Sequence, residues 1–454
     1  MISSSIAQVF AKIVGTKWVL TDPAELTCYA RDASVASGRP AAVVVPGSSA
    51  EVSAVLKAAA EASIPVTPRG AGTGLAGGAV PMEGIVLALT RLRGLSVHKR
   101  DLVASVGAGV ATQDLHAAAE NEGLFYPPDP SSASVCTIGG NVATNAGGPH
   151  GFKYGVTRDY LLGLEVVLSD GTLIQTGGRT LKNAAGYSLT QLLCGSEGTL
   201  GVVTNALLRL IPLPEERAGV LSVFDDLGAA AQAVLEIING GICPSALEIM
   251  DRTTLSCAAR DIWPAPPAAA LLVEIDGPLE VVLRRAWETE TVCRGCGARK
   301  ANTASGGEAS DFAGLRRAVS GSLTRLFPLK IGEDVAVPLG MLPSFIDMMG
   351  SLSADTGVKI AVFGHAADGN LHPNILFDPR DIDAVQVEAA IEGIFQAAFK
   401  CGGALSGEHG VGMLKSPFFE QAVGPETIAL MRGIKKVFDP HGQLNPGKIW
   451  PHGE

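Results

Sequence analysis

Short apolar runs punctuated by glycine turns fill the first half of the chain, whereas apolar residues recur at helical spacing through much of the second. PAAVVVP (residues 40–46) reads as a buried strand. Ser49 opens a helical pattern through EVSAVLKAAAEAS, with Glu51 in its first turn, where an acid suits the unpaired N–H groups. IPVTP follows as a strand, giving a β-α-β start, and IVLAL is another, after the run PRGAGTGLAGG (residues 68–78). Between residues 102 and 212 the pattern is VASVGAGV, GLEVVLSDGTLI and GTLGVVTNALLRLIPLP, short strands joined by glycine turns. Glu165–Leu168 and Leu173–Thr176 flank a Ser-Asp-Gly turn and predict a hairpin.

PLPEER (residues 212–217) marks a boundary. Beyond it the strands VLSVF, SALEIMD and AALLVEID alternate with the amphipathic runs AAAQAVLEIIN and LEVVLRRAWETETVC. Two more helices, the strand DVAVP, a hairpin at FGHAADGNLHP and a helix over residues 382–400 follow. KANTASGGEAS reads as a mobile loop, and SGEHGVG onward to LNPGKIW as loop, helix, loop. These divisions predict an α+β chain in three parts. A first domain covers residues 1–217, with its core at 38–215. A second covers 218–405 and is built on an antiparallel sheet. A C-terminal segment, 406–454, need not belong to the second.

The hairpin at residues 363–373 holds two of only eight histidines. Asp368-Gly369 is a strong turn signal, because glycine accepts positive φ freely and aspartate tolerates it. Centred on that pair, the turn sets His365 opposite His372, with Cβ atoms about 4.5–5.5 Å apart on one face. Such an arrangement would begin a metal site. Two histidines bonded to nearby carbonyls in an ordinary hairpin is the alternative this stretch leaves open.

Composition narrows the classes. At 454 residues, 47% hydrophobic and 18% charged, the chain suits two or three domains, each able to bury a core. A net charge of −10 argues against nucleic acid, which needs a basic surface to displace counterions. No run of about 18 apolar residues predicts a transmembrane span, and the N-terminus lacks the charged start and apolar core of a signal peptide. The expectation is a cytoplasmic protein, with a peripheral contact at the inner face of the membrane left open. Of eight cysteines only Cys293 and Cys296 form a CxxC pair. A zinc ribbon would need two such pairs, so reduced thiols are expected.

Glycine is in excess, 55 residues, and it clusters. Gly72-x-Gly74-x-x-Gly77 matches GxGxxG and follows a strand, but AVPMEGIVLAL carries Pro81 and Gly84 and predicts turn plus strand where a dinucleotide fold needs a helix. A nicotinamide enzyme is therefore disfavoured. A backbone anion nest beside Arg69 remains. PDPSSASVCTIGGNVATNAGG (residues 128–148) and CGSEGTLGVVT (residues 194–204) are two further clusters. They are either tight turns of a sheet or backbone contacts along a large phosphate-bearing cofactor.

RGAGTGLAGG, PPDPSSASVCTIGGNVATNAGG, KYGVTRDYLLGLEVVLSDG, LLCGSEGTLGVVT, FGHAADGNLHP, SGEHGVG and FDPHGQLNPGK together resemble the FAD-linked oxidase family of vanillyl-alcohol-oxidase fold, in the family's order from about residue 38 to 449. Glycolate oxidase FAD-linked subunits, D-lactate dehydrogenases and D-2-hydroxyglutarate dehydrogenases are the group it is most similar to. The resemblance implies a two-part FAD-binding domain of PCMH type, a ferredoxin-like α+β substrate (cap) domain and a C-terminal segment that returns to the FAD.

It also implies roles, residue by residue. Arg69, Gly70, Ala71, Gly72, Thr73 and Gly74, with Gly77 and Gly78 behind, would cradle the FAD pyrophosphate. Pro130, Ser131, Ser132, Gly139, Gly140, Asn141, Asn145 and Gly147 would approach the pyrophosphate, ribityl chain and isoalloxazine edge. Gly198, Gly201, Val202 and Val203 would meet the adenine side, and Asn445 and Lys448 would return to the flavin. Thr73 stands where members with covalent flavin often carry histidine, which implies non-covalent FAD. His365, His372 and Glu408 would bind a divalent metal, zinc by the donor set. His409 would be the general base, taking the hydroxyl proton while hydride leaves Cα for flavin N5. Arg316, Arg317 or Lys330 would hold the substrate carboxylate.

The activity so implied is oxidation of a small D-2-hydroxy acid, lactate or glycolate, to the 2-oxo acid. Electrons would pass to a quinone, an electron-transfer flavoprotein or an iron–sulfur subunit, and the protein would work as a homodimer or within a hetero-complex. Two other readings compete: an FAD-binding subunit of a multi-subunit complex with a structural metal hairpin, and a non-redox flavoenzyme of the same fold. The first leaves an adjacent base without a use. The second would need an apolar tunnel that the sequence does not show.

Overall fold

Two strands, Ala42–Val44 and Val66–Arg69, flank the strand Ile85–Ala88 in parallel, and Val19–Leu20 adds an antiparallel edge. The helix Ser49–Glu61 makes the crossover. The Ser48 hydroxyl accepts from the Glu51 N–H at 3.2 Å and fixes its start. Val52, Val55, Leu56 and Ala59 lie at helical spacing and are buried in one core with Val44, Ile85 and Leu87. Each such Val, Leu or Ile contributes about 1.5–3 kcal/mol by leaving water. This is the computed structural model of the chain, and it describes residues 4–259, 263–305, 314, 318, 319, 321–325 and 327–450.

A second sheet holds Leu95–His98, Val103–Gly107, Val202–Arg209, Leu161–Val167 and Leu173–Gly177 in that spatial order, every pair antiparallel. The hairpin predicted around Asp170-Gly171 is present, with Val167 opposite Leu173 and Gly171 at φ +87°. No helix follows Gly77 before Ile85. One helix the glycines concealed does form, Ile138–Thr144. The Thr137 hydroxyl accepts from the Gly140 N–H at its start, and Asn145 in the left-handed conformation ends it.

The chain divides into two units. Met1–Ala146, Val156–Leu213 and Glu408–Glu454 form the first, and Gly147–Gly155 with Pro214–Gly407 the second. In the first, the closing segment returns beside the strand Val66–Arg69, where the Asn445 N–H donates to the Val66 carbonyl at 2.8 Å. Ser416–Val423 and Pro425–Phe438 are two helices where one was expected, because Gly424 at φ +83° and Pro425 break the run.

The second unit is an antiparallel sheet in the order Lys300–Ser305, Glu216–Phe224, Ala269–Gly277, Ala246–Asp251, Lys359–His365, Asn370–Phe377 and Leu329–Gly332. The short strand Val335–Ala336 also pairs with Asn370–Phe377. Helices Leu227–Asn239, Leu279–Gly295, Leu342–Thr356 and Ala384–Lys400 accompany it. Lys300–Ser305 corrects the expected loop. Ala301 and Ala304 are buried in it, and alanines give almost no apolar signal. Residues 306–310 of that stretch lie outside the described residues. The excursion Gly147–Gly155 is anchored by Lys153 Nζ and by Tyr154 Oη, 2.9 Å from Asp276 Oδ2, both on the carboxylate of Asp276. All eight cysteines are free thiols. Among the described residues no helix is long and apolar enough to cross a membrane.

Candidate functional site

The three glycine clusters pack on one another. A Cβ on Gly70 would lie 2.2 Å from Thr137 Oγ1, one on Gly139 2.7 Å from the Ala108 Cβ, and one on Gly198 3.2 Å from Pro68 Cγ. These glycines are demanded by close approach within the protein. Gly74, Gly78 and Gly140 are different. A Cβ there would meet nothing nearer than 3.4 Å. Close packing within the protein therefore does not require glycine at these three points.

Arg69 is buried and braces the first loop from within. Its Nη1 donates to the Ala79 carbonyl at 3.2 Å, its guanidinium lies 5.6 Å from the Tyr29 ring centre, and it fills the space beside Gly72, which is at φ +74°. Ala71 and Thr73 are half-buried on the same loop, and Gly77 at φ +78° abuts Met413. Asn141 bonds Thr112 Oγ1 at 2.6 Å, and Asn145 Oδ1 accepts from the Arg158 N–H at 2.9 Å. Pro130, Ser131 and Ser132 form a turn closed by the Ala133 N–H on the Pro130 carbonyl. Gly147 falls in the second unit. Gly201 packs on Val166, and Val202 and Val203 are buried strand residues opposite Val167 and Val166.

The closing segment ties the clusters together. Asn445 Nδ2 donates to the Gly78 carbonyl at 2.9 Å and to the Glu197 carbonyl at 2.7 Å, while its Oδ1 is buried and without a partner. Lys448 is 1% exposed, and burial pushes its ammonium down to about 8, against the pull of Glu197 and Asp32. A buried cation and an orphaned amide oxygen beside the glycine loops fit an anionic, hydrogen-bonding ligand such as FAD. Glu197, in the third cluster, was not foreseen as a site residue. Burial raises its carboxyl above the usual range, opposed by the Val411 and Gly412 amides, Lys448 and Lys415.

In the second unit the hairpin register corrects the predicted one. His365 opposes Asn370, and His372 opposes Phe363. The turn takes in Ala366, Ala367, Asp368 and Gly369, because the Ala366 N–H bonds the Leu247 carbonyl and Gly369, at φ +73°, lies against the Val337 carbonyl. The slip is two residues, and a two-residue slip keeps every side chain on its face. His365 and His372 are therefore diagonal neighbours, ring centres 5.3 Å apart.

A carboxylate on the neighbouring strand and one just ahead of Val335–Ala336 approach the two rings. Glu248 Oε1 is 2.6 Å from His365 Nδ1, and Asp334 Oδ1 is 3.8 Å from His372 Nδ1. Asp334 is fully buried. It accepts from Asn370 Nδ2 at 2.6 Å, from Ser406 Oγ at 2.6 Å and from the Gly407 N–H at 2.9 Å. It thereby fixes the chain immediately before Glu408 and His409. His365, His372 and Glu408 each offer a ligand atom, all within 4.8 Å of one another, and Asp334, His372 and His409 form a second such set. Two imidazoles and a carboxylate are a donor set for a divalent cation. Glu248 and Asp334 escaped the sequence reading because they stand 117 and 36 residues from their hairpin partners His365 and Asn370. A charged residue inside the apolar strand Ala246–Asp251 was the available signal for Glu248. Lys330 is half-buried opposite Leu376, and burial lowers its pKa. Arg316 and Arg317 lie outside the described residues.

The glycine-lined unit and the antiparallel second unit define the class as a two-domain flavoprotein. Residues 40–177 match the family described as "FAD binding domain" and residues 213–449 the one described as "FAD linked oxidases, C-terminal domain". The chain belongs to the FAD-linked oxidase family and is an FAD-dependent oxidoreductase. It is 41% identical to the glycolate oxidase subunit GlcD of Bacillus subtilis (strain 168), over 99% of this chain and 97% of that one. It is 36% identical to a D-lactate dehydrogenase of Anaerostipes hadrus, over 90% of each. The solved structure of p-cresol methylhydroxylase superposes with a TM-score of 0.81 at 18% identity, over 98% of this chain and 96% of that one, and shares the vanillyl-alcohol-oxidase-type fold.

Proposed function

We propose that the protein oxidises a small D-2-hydroxy acid, D-lactate or glycolate, to the 2-oxo acid, using non-covalently held FAD and a divalent cation at His365, His372 and Glu408. The observation that carries this reading is the grouping of two imidazoles and a carboxylate within 4.8 Å, with His409 next in sequence to the carboxylate. When bound, the cation would supply Lewis acidity toward the substrate hydroxyl and FAD would take the two electrons.

The chain's own residues do the rest. His365 and His372 are held rigid on adjacent strands, so their donor atoms need little reorganisation. His409 holds the proton that leaves the hydroxyl, a task suited to an imidazole near neutral pH. Lys330 is a cation within the second unit for the substrate carboxylate, and Arg316 and Arg317 are further candidates. The glycine loops at Gly74, Gly78 and Gly140, with Lys448 and Asn445, would hold the FAD. Electrons then pass to a quinone, an electron-transfer flavoprotein or an iron–sulfur subunit. The similarity to a protein named as a subunit favours work within a hetero-complex.

The test is anaerobic bleaching of the bound flavin by a panel of D- and L-2-hydroxy acids, with and without chelator. D-lactate or glycolate should bleach it, chelation should stop the bleaching, and added divalent metal should restore it. Bleaching indifferent to chelator would remove the metal, and a flavin untouched by every acid would remove the substrate class.

A further inference from the structure

Glu197 occupies a position that chemistry disfavours twice. Its φ of +52° lies in the left-handed region, which the neighbouring glycines Gly195 and Gly198 enter freely and a side chain enters with strain. Its carboxylate is also buried, the residue being 8% exposed, and a buried charge is costly without partners. A glycine would avoid both penalties. The partners account for the glutamate. Oε1 accepts the Val411 N–H and Oε2 the Gly412 N–H, each at 2.8 Å. Gly410, at φ +81°, leaves room for the carboxylate, since a Cβ there would stand 2.9 Å from Oε1. The Glu197 N–H donates to the Ala143 carbonyl at 2.8 Å, and its carbonyl accepts from Asn445 Nδ2. Three stretches distant in sequence are thus fastened at one residue. The loop its carboxylate grips begins immediately after His409.

We infer that Glu197 is a positioning residue for His409: by holding both amides of Val411 and Gly412, it fixes the loop that presents the proton acceptor. The inference rests on the proposed role of His409, but the contact itself can be read without that role. In Glu197→Gln the amide oxygen accepts one N–H, and the NH2 group confronts the other donor.

The experiment compares wild-type holoprotein with Glu197→Gln, with flavin content and melting temperature recorded for both. Hydrogen exchange at the Val411 and Gly412 amides should quicken at least tenfold. The rate of flavin reduction at saturating D-lactate or glycolate should fall at least tenfold, with KM changed less than twofold and the pH profile of reduction displaced. Wild-type exchange at those amides would overturn the inference, as would quickened exchange with an unaltered reduction rate and pH profile. If the glutamine variant loses flavin, Glu197→Asp, which keeps the charge but is too short for both amides, is read by the same criteria. If no 2-hydroxy acid bleaches even the wild type, the proposed function fails, and the role assigned to Glu197 toward His409 fails with it; exchange alone then decides whether the carboxylate holds the loop.

Discussion

His365 Nδ1 lies 2.6 Å from Glu248 Oε1, and the two residues are register partners on adjacent antiparallel strands. A carboxylate on Nδ1 sets both the tautomer and the orientation of the ring and makes Nε2 the ring's lone-pair nitrogen. Glu248→Gln keeps the shape but removes the charge behind the ring. Affinity for cobalt(II) or zinc, measured by titration of metal-free protein, should fall about 10- to 100-fold. An unchanged affinity would mean that the carboxylate does not tune the site.

His409→Ala should retain bound flavin and lose most of its reduction, by about 10²- to 10⁴-fold, the usual contribution of a general base. Stopped-flow flavin absorbance under argon measures this directly. A rate equal to wild type would place the proton acceptor on another residue.

Lys448 gives a pH signature. Its folded pKa is pushed down from 10.5 to about 8 by burial, so folding opposes its charge. Below about pH 8 the ammonium is charged in both folded and unfolded chains and the full penalty stands. Between 8 and 10.5 the unfolded chain holds the extra proton, so stability rises with pH, by about 3 kcal/mol from this group at 1.36 kcal/mol per pKa unit. Denaturant unfolding of flavin-free protein should show that rise, and Lys448→Met should flatten it. Parallel curves for the two proteins would discard the assignment.

Much of the architecture was legible because it rests on local signals. Asp170-Gly171 and Asp368-Gly369 announced their hairpins, and Pro81 with Gly84 excluded a helix after the first glycine loop. The second hairpin was misregistered because its turn is set by the Leu247 and Val337 carbonyls, which no local rule can see. Pairing His365 with His372 on one face survived, since side-chain direction repeats every second residue. Asp334 and Glu197 gave no local sign of a site role, and Glu248 gave only its charge within an apolar strand, for a related reason. Each is an acid whose meaning comes from a partner far along the chain.

The nine residues 147–155 leave the flavin-binding part, fasten Lys153 and Tyr154 to Asp276, and return. The gene therefore cannot be cut at residue 213 into two self-sufficient pieces. A fragment ending there would carry a lysine and a tyrosine whose counterion had been left behind, and the complementary fragment would keep a buried aspartate stripped of both. Swapping the second unit for that of a relative must transplant the small excursion along with it, so the two parts of the gene are inherited together.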